Sequence, residues 1–296
     1  MKQFRRAWRI QVGTLLVSSS APPGPGLACK FSVTKSVATA RAGSLELEVY
    51  NLSRRHSAEL ADLPRRTTFV SVDAGYEEGM SRIFTGNLRR AIPRHDGASW
   101  VVRVTAGDGE FARRSARISS AFASGTSTAV AAQALADALG VGVGNAAQAF
   151  RGVRLTSGGE VFEDGHILHG NAAQALTDLC NSSGQTWTIQ DGAIQVLPLG
   201  GASSRTAIRL GADSGLIDSP EIVGRNTVTV KCLLQPGLVP GQRVVIDSLL
   251  VQHEVRITEA KLTGETHGNA WGAELTCHRP RPPLQLTGSG PLNPTV

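Results

Sequence analysis

Gly215-Leu-Ile-Asp-Ser-Pro220 and Thr227-Val-Thr-Val-Lys-Cys-Leu-Leu234 open the stretch that decides the fold, which runs on to Trp271-Gly-Ala-Glu-Leu-Thr-Cys277. Its segments are short, carry apolar residues at every second position and are bounded by Gly or Pro. This pattern is typical of strands joined by tight turns rather than of helices. The sequence therefore predicts a strand meander between residues 215 and 277.

One segment of this stretch contains a change of phase. Val255 and Ile257 are apolar at odd numbers, whereas Ala260 and Leu262 continue the pattern at even numbers. Because side chains alternate between the two faces of a strand, one extra residue near Thr258-Glu259 restores the alternation, which predicts a β-bulge. Twisted, bulged strands of this length favour closure into a small barrel.

The composition bounds the fold class. The chain has 296 residues, enough for two or three small domains. Aromatic residues make up only 5%, whereas Gly and Pro number 33 and 14, so many short elements are favoured over a few long helices. The net charge is +6, and the excess comes from arginine pairs at Arg5-Arg6, Arg54-Arg55, Arg65-Arg66, Arg89-Arg90 and Arg113-Arg114. Such scattered pairs favour solvated or subunit-facing arginines over a dedicated phosphate site.

The cysteines are not expected to form a redox site, and the N-terminal region is not expected to be a signal peptide, although Gly26-Leu-Ala-Cys29 resembles a lipoprotein cleavage box. The four cysteines are too far apart for a Cys-x-x-Cys motif, and nothing requires an oxidising compartment. The apolar run from Val12 to Val17 is interrupted by Gly13 and Thr14, which favours a strand over a signal peptide. No segment is long enough to cross a bilayer, so stable membrane insertion is not expected.

Residues 1–110 are predicted to form a first β-barrel. Leu47 and Val49 alternate with Glu46 and Glu48, as expected of a strand with one buried face. Ser53 is a candidate N-cap for a short helix that ends before Pro64. The predicted strands cover residues 7–18, 29–37, 44–51, 67–75, 82–93 and 98–106, with a hairpin turn at residues 94–97.

Residues 111–205 are predicted to form a compact α/β module. An Ala-rich helix begins at Thr126, Ser127 or Thr128 and ends at Gly140, and a second helix is capped by Asn171. The buried side of the first helix is predicted from helical spacing and consists of Val130, Ala134, Leu135 and Ala138. A hairpin over residues 185–197 turns at Asp191-Gly192.

The fold class is therefore mainly β with an α+β insertion. Residues 206–280 are predicted to form a second β-barrel, and residues 281–296, rich in Pro, Gly and Thr, are predicted to be an extended tail. Two small barrels and one α/β module make up the predicted chain.

The motifs of common enzymes and cofactor sites are absent from the sequence. Neither Gly-x-Ser-x-Gly nor Gly-x-Gly-x-x-Gly occurs, and Gly140-Val-Gly-Val-Gly144 follows a helix instead of preceding one. His166 and His169 follow Glu163-Asp164, but in a strand their side chains point to opposite faces. We therefore predict no catalytic, cofactor-binding or metal-binding residue, no cofactor and no enzymatic activity.

The order of short motifs resembles the baseplate hub proteins of tailed phages, the group that includes the late control protein D relatives. Besides the stretch from Gly215 to Cys277, the resemblance rests on several pieces of the first 200 residues. These pieces are Leu47-Glu-Val-Tyr-Asn-Leu-Ser53, Val72-Asp-Ala-Gly-Tyr76, Ile83-Phe-Thr-Gly86, Asp96-Gly-x-x-Trp100, Ala106-Gly-Asp-Gly109, Phe122-x-x-Gly-Thr126 and the hairpin with Gly184-x-x-Trp187 and Asp191-Gly192.

The resemblance implies a structural role at the tip of a phage tail. Two tube-like barrels per chain let a homotrimer form a pseudo-sixfold ring. This ring would join a sixfold tail tube or distal tail protein above to a threefold central spike below, with other baseplate proteins at the periphery. Genomic DNA would pass transiently through its channel, so the arginine pairs are expected on outer or intersubunit surfaces. The expected location is the virion tail, after assembly in the host cytoplasm.

Two other functions stay open. A basic β-barrel that binds nucleic acid would fit the net charge, but the aromatic residues form no stacking platform among basic residues. A tail-associated cell-wall hydrolase would need catalytic residues that the motifs do not indicate.

Overall fold

The computed structural model describes residues 5–19, 26–38, 42–151, 161–224, 226–249 and 252–279. The fold is mainly β with a few helices, as predicted. The extended tail predicted for residues 281–296 lies outside the described residues.

The first part of the chain supplies one side of a large sheet. Its elements are β1 (Arg6–Val12), β2 (Leu15–Ser18), β3 (Cys29–Ser36), β4 (Ser44–Tyr50), α1 (Arg54–Asp62), β5 (Phe69–Tyr76), β6 (Ser81–Asp96) and β7 (Ser99–Gly107). As predicted, the Ser53 side chain accepts the His56 amide at the start of α1 (3.2 Å). The single strand predicted over residues 7–18 is wrong. Gly13 has a φ of 57°, a left-handed conformation that suits Gly, and the chain reverses there into a hairpin.

The middle part forms the α/β module. Its elements are α2 (Glu110–Ser115), β8 (Arg117–Phe122), β9 (Thr126–Ser127), α3 (Thr128–Leu139), α4 (Ala146–Ala149), β10 (Val161–Phe162), β11 (His166–Asn171), α5 (Ala172–Ser182), β12 (Gln185–Gln190) and β13 (Ala193–Pro198). Ser127 caps α3 and Asn171 caps α5 through side-chain acceptors. The Asp191-Gly192 turn has φ values of 54° and 78°, as expected for a type I′ hairpin.

The predicted buried face of α3 is wrong in part. Val130 is 53% exposed, whereas Leu135 is fully buried. The buried stripe is centred on Ala131, Ala132, Leu135, Ala136 and Leu139, about one residue further along the helix. Small alanines on this stripe let α3 pack against α4 and α5.

The last part completes the sheet. Its elements are β14 (Ile208–Gly211), β15 (Glu221–Ile222), β16 (Thr227–Leu233), β17 (Arg243–Asp247), β18 (Gln252–Glu265) and β19 (Trp271–His278). The predicted alternation is confirmed in β16 and β19. The residues buried on the apolar faces of these strands are Val228, Val230, Cys232, Trp271, Ala273, Leu275 and Cys277. The predicted bulge is confirmed between Ile257 and Glu259.

Thirteen strands of the described residues form one continuous sheet. Its main path is β15-β16-β19-β18-β3-β4-β7-β6-β5-β1-β2, and β14 joins it by pairing in parallel with β17, which pairs with β18. The segment after β14 also reaches β16, because Gly215 O accepts the Leu233 amide and Lys231 O accepts the Ile217 amide. Two separate barrels stay a prediction, because the strands of both ends of the chain share this sheet.

The bulge in β18 is the point where the sheet forks. Before it, residues 252–256 of β18 pair with β17; after it, residues 259–265 pair with β3 along the same edge. Thr258, the extra residue, donates its hydroxyl to Thr276 O (2.9 Å) and accepts the Val37 amide on its carbonyl (2.9 Å). At the bulge, Thr258 therefore contacts strands from both ends of the chain.

Within the described residues, two apolar cores lie under these elements. The larger one contains residues of the first part and of the last part together, such as Leu47 and Val230. The smaller one belongs to the module and is built around Leu135, Leu176 and Trp187. The division of the chain near residues 110 and 205 stays a prediction, although the module has a core of its own.

Candidate assembly surfaces

The residues weighed in the sequence as metal ligands do not meet. His166 and His169 lie three positions apart on β11 and are both exposed. The His166 ring stacks on Phe162 with centroids 4.4 Å apart, and His169 Nδ1 lies 3.4 Å from Ser119 Oγ. Across the described residues, no group of three or more His, Cys, Asp or Glu side chains could hold a metal ion.

The glycine-rich segment after α3 contacts the hairpin formed by β12 and β13. Gly142 donates its amide to Gly192 O and accepts the Ile194 amide, both at 2.8 Å. A Cβ at Gly144 would lie 1.8 Å from Ile194 O, so the backbones approach too closely for any side chain. This segment therefore packs the module instead of cradling a phosphate group.

A buried charged cluster joins the module to the sheet. The Lys35 ammonium on β3 contacts both oxygens of Asp191 at 2.7 and 2.8 Å, and its side chain is 4% exposed. Asp108, which follows β7, accepts the Gly192 amide at 3.1 Å. Burial, and next the nearby charge of Asp191, raise the pKa of Asp108 to about 7. We call Lys35, Asp108 and Asp191 the Lys35 cluster.

Neutral contacts reinforce the Lys35 cluster. The Thr188 hydroxyl donates to Ser36 O at 3.1 Å, and Gln190 Nε2 donates to Pro240 O at 3.1 Å. Gly109 lies under Ile189, where an added Cβ would be 2.3 Å from Ile189 Cδ1. The hairpin therefore contacts residues of both ends of the chain, and its buried charge lies where the module packs against the sheet.

The exposed face of the sheet carries charges of alternating sign. Cross-strand neighbours form one row of Glu265, Lys30, Glu48 and Arg103. A second row consists of Lys231, Glu274 and Lys261. Lys30 contacts Glu265 at 3.2 Å within the first row. Opposite charges on directly paired strands stabilise the register and leave little net charge on this face.

Five arginines, drawn from three of the arginine pairs found in the sequence, converge in space. Two adjoining hollows, of about 460 and 760 Å³, share Arg89, Glu110 and Arg114 as lining residues. We call their charged lining the basic cleft; it consists of Arg65, Arg66, Arg89, Arg113, Arg114 and Glu110. Periodicity could not place these residues together, because they come from a turn, a strand and the short helix α2.

The described residues include no helix that is long and apolar enough to span a membrane.

Comparison with solved structures identifies proteins with a similar fold. No family model matches the sequence, and no curated protein matches it. The 43 kDa tail protein of prophage MuSo2 from Shewanella oneidensis has a similar structure, with a TM-score of 0.61 at 14% identity over 93% of this chain and 97% of that chain. The chain has the fold of a phage tail protein.

Two further solved structures support this assignment. The tail protein from Neisseria meningitidis MC58 superposes with a TM-score of 0.58 at 12% identity, over 93% of this chain and 97% of that chain. The E. coli c3393 protein is a component of the type VI secretion system with structural similarity to the T4 bacteriophage tail proteins gp27 and gp5. It superposes with a TM-score of 0.50 at 9% identity, over 92% of this chain and 77% of that chain. At these identities the likeness establishes the fold alone.

Proposed function

We propose that this chain is a structural subunit of a phage tail, the hub of its baseplate or tip. Three copies would form a pseudo-sixfold ring that joins the tail tube or distal tail protein to a threefold central spike. The observation that carries the proposal is the likeness to two tail proteins over 93% of this chain. It matches the resemblance that the sequence motifs indicate independently of the fold.

The strand arrangement supports the use of two similar units per chain. Each end of the chain contributes a long strand with a bulge, β6 with its irregularity between Leu88 and Arg90 and β18 between Ile257 and Glu259. Three chains that each present two curved sheet regions can offer six similar faces to a sixfold partner while keeping threefold symmetry. The late control protein D relatives are the group within which we place this role.

The charged rows suit the wall of a channel for DNA. The wall of a channel through which DNA passes must not be continuously positive, because arginine and lysine bind phosphate without regard to sequence. The row of Glu265, Lys30, Glu48 and Arg103 alternates in sign and meets this requirement. We therefore assign the channel wall to this face and the arginine pairs to outer or intersubunit surfaces. The role needs no cofactor and no catalytic residue, and it locates the protein in the virion tail.

The experiment that tests the proposal is a mass measurement of the purified chain, followed by electron microscopy of the particles. We expect a trimer of the 31.1 kDa chain and a ring with six similar lobes around a central channel. A chain that remains monomeric at high concentration, or a ring with another symmetry, would contradict the proposed hub.

A further inference from the structure

The basic cleft carries more positive charge than its own residues neutralise. Glu110 contacts Arg89 and, at 2.9 Å, Arg114. In the described structure, Arg65, Arg66 and Arg113 form no ion pair with a carboxylate. Burial lowers the pKa of the Arg113 guanidinium. A cluster of five guanidinium groups with a single carboxylate is poised to bind a negatively charged group.

Aromatic rings hold two of these arginines in place. The Arg66 guanidinium lies 5.1 Å from the centroid of the Phe111 ring, and the Arg113 guanidinium lies 5.4 Å from that of Trp187. Phe111 is 44% exposed, so the cleft offers an apolar surface beside its charges. Guanidinium groups stacked on rings keep their donors directed outward, which favours a partner with both carboxylates and apolar side chains.

A surface with an excess of negative charge lies beside β14 and β17. A hollow of about 520 Å³ that is open to solvent has Arg209 as its single cation. The other residues of its lining that matter here are Asp213, Asp218, Asp247, Ile217 and Leu249. We call these six residues the acidic patch. Arg209 contacts Asp213 at 2.9 Å and Asp247 at 2.6 Å. Asp218, in contrast, forms no ion pair with any described residue. Leu249 is fully exposed and Ile217 is 46% exposed.

The two surfaces lie on different parts of the sheet. The basic cleft adjoins the junction of β6 and β7 with α2, whereas β14 and β17 branch from β18, with β3 and β4 between them in the strand order. Each surface forms its ion pairs internally, and no described ion pair links one to the other. A contact between two different surfaces of identical chains is heterologous and closes into a ring when the rotation between copies permits.

We propose that the basic cleft of one copy binds the acidic patch of a second copy in a head-to-tail contact. The exposed Ile217 and Leu249 pack beside Phe111, while the free carboxylate of Asp218 binds a cleft arginine. Complementary charge at such a contact sets the partner and the orientation of association. This inference rests on the trimer proposed above and names the two surfaces that build it.

Charge reversal in each surface tests the contact. The cleft variant carries Arg65→Glu and Arg114→Glu, both at exposed positions, and the patch variant carries Asp213→Arg and Asp218→Arg. We expect each variant to raise the dissociation constant of the trimer at least about tenfold, as measured by sedimentation and mass photometry. A chain that carries all four changes restores opposite charges across the contact and is expected to regain the trimer.

The matched control carries Arg54→Glu and Arg55→Glu on α1, where two exposed arginines lie outside the cleft and the change in net charge is the same. It is expected to stay trimeric. Raising NaCl from about 50 to about 500 mM should weaken the wild-type trimer, since exposed charges are screened. Near-ultraviolet circular dichroism identifies variants that have lost their packing.

The outcomes separate the two proposals. A wild-type trimer that neither charge reversal nor salt weakens overturns the head-to-tail contact and leaves the hub intact. A folded four-change chain that stays monomeric overturns it as well. A wild-type chain that is monomeric contradicts the trimeric hub itself. If the cleft variant and not the control loses affinity for labelled double-stranded DNA, while both remain trimeric, the cleft binds nucleic acid and the contact is refuted.

Discussion

Replacing Asp108 by Asn should stabilise the protein at neutral and alkaline pH. Asp108 is 2% exposed and accepts the Gly192 amide, and the Asn side chain keeps an oxygen that can accept the same hydrogen bond. What the substitution removes is a negative charge held away from water and close to Asp191. The wild-type protein must keep this charge buried once Asp108 ionises, which lowers the free energy of unfolding.

The magnitude follows from the pKa. Asp108 has a pKa of about 7 in the folded protein, against 3.8 for the ordinary side chain. The folded state therefore binds the proton more tightly than the unfolded state, so stability is lost as pH rises from about 4 to about 7 and is level above that. A difference of about three pKa units corresponds to about 4 kcal/mol, an upper value for the gain in Asp108→Asn at about pH 8.

Urea denaturation at a series of pH values measures this effect. The difference in unfolding free energy between Asp108→Asn and the wild type should be close to zero near about pH 4 and should grow until about pH 8. Asp164→Asn, at an exposed turn, is the matched control and should show no such growth. If the difference is independent of pH, or if Asp108→Asn is less stable than the wild type at about pH 8, the reasoning about the buried carboxylate is refuted.

Three other substitutions or probes test the packing. Asp191→Asn keeps a residue suited to the left-handed turn but leaves the buried Lys35 without its carboxylate. The free energy of unfolding, measured in urea, should fall by about 1–3 kcal/mol, between the values for exposed and fully buried ion pairs. An unchanged urea midpoint would contradict this. Gly264→Ala would place a Cβ 2.2 Å from the Phe31 ring, so the melting temperature should fall by several degrees, and a wild-type value would refute the predicted clash. The four cysteines are free and buried, and burial raises the pKa of each to about 12. A thiol reagent at neutral pH should therefore label them only after unfolding, and rapid labelling of the native protein would show that the core opens.

Local pattern was sufficient to predict the last strands. In β16 and β19 every second residue is apolar, and burial of one face follows from the alternation of side chains. The bulge in β18 was predictable for the same reason, since Val255 and Ala260 can lie on one face only if an extra residue intervenes. Turn residues such as Asp191-Gly192 and caps such as Ser127 also act within a few neighbours along the chain.

Contacts between distant segments could not be predicted in this way. Lys35 occupies the position after Phe31 and Val33 on the buried face of β3, and a charged residue there was the one available signal of a buried partner. That its partner is Asp191 depends on how the module packs on the sheet, which no local period encodes. The basic cleft is a similar case, because α2 was not predicted and Arg113 and Arg114 reach Arg89 only through it.

The pairing of β3 with β18 has a consequence for how the chain reaches its native state. More than two hundred residues separate these neighbouring strands, so β3 emerges from the ribosome long before the segment that covers its edge. During that interval, the newly made edge must avoid pairing with other nascent chains. The charged and hydroxyl residues Lys30, Ser32 and Thr34 along it are suited to keep the waiting strand soluble. Synthesis of the final strands is therefore the step that covers the open edge of β3.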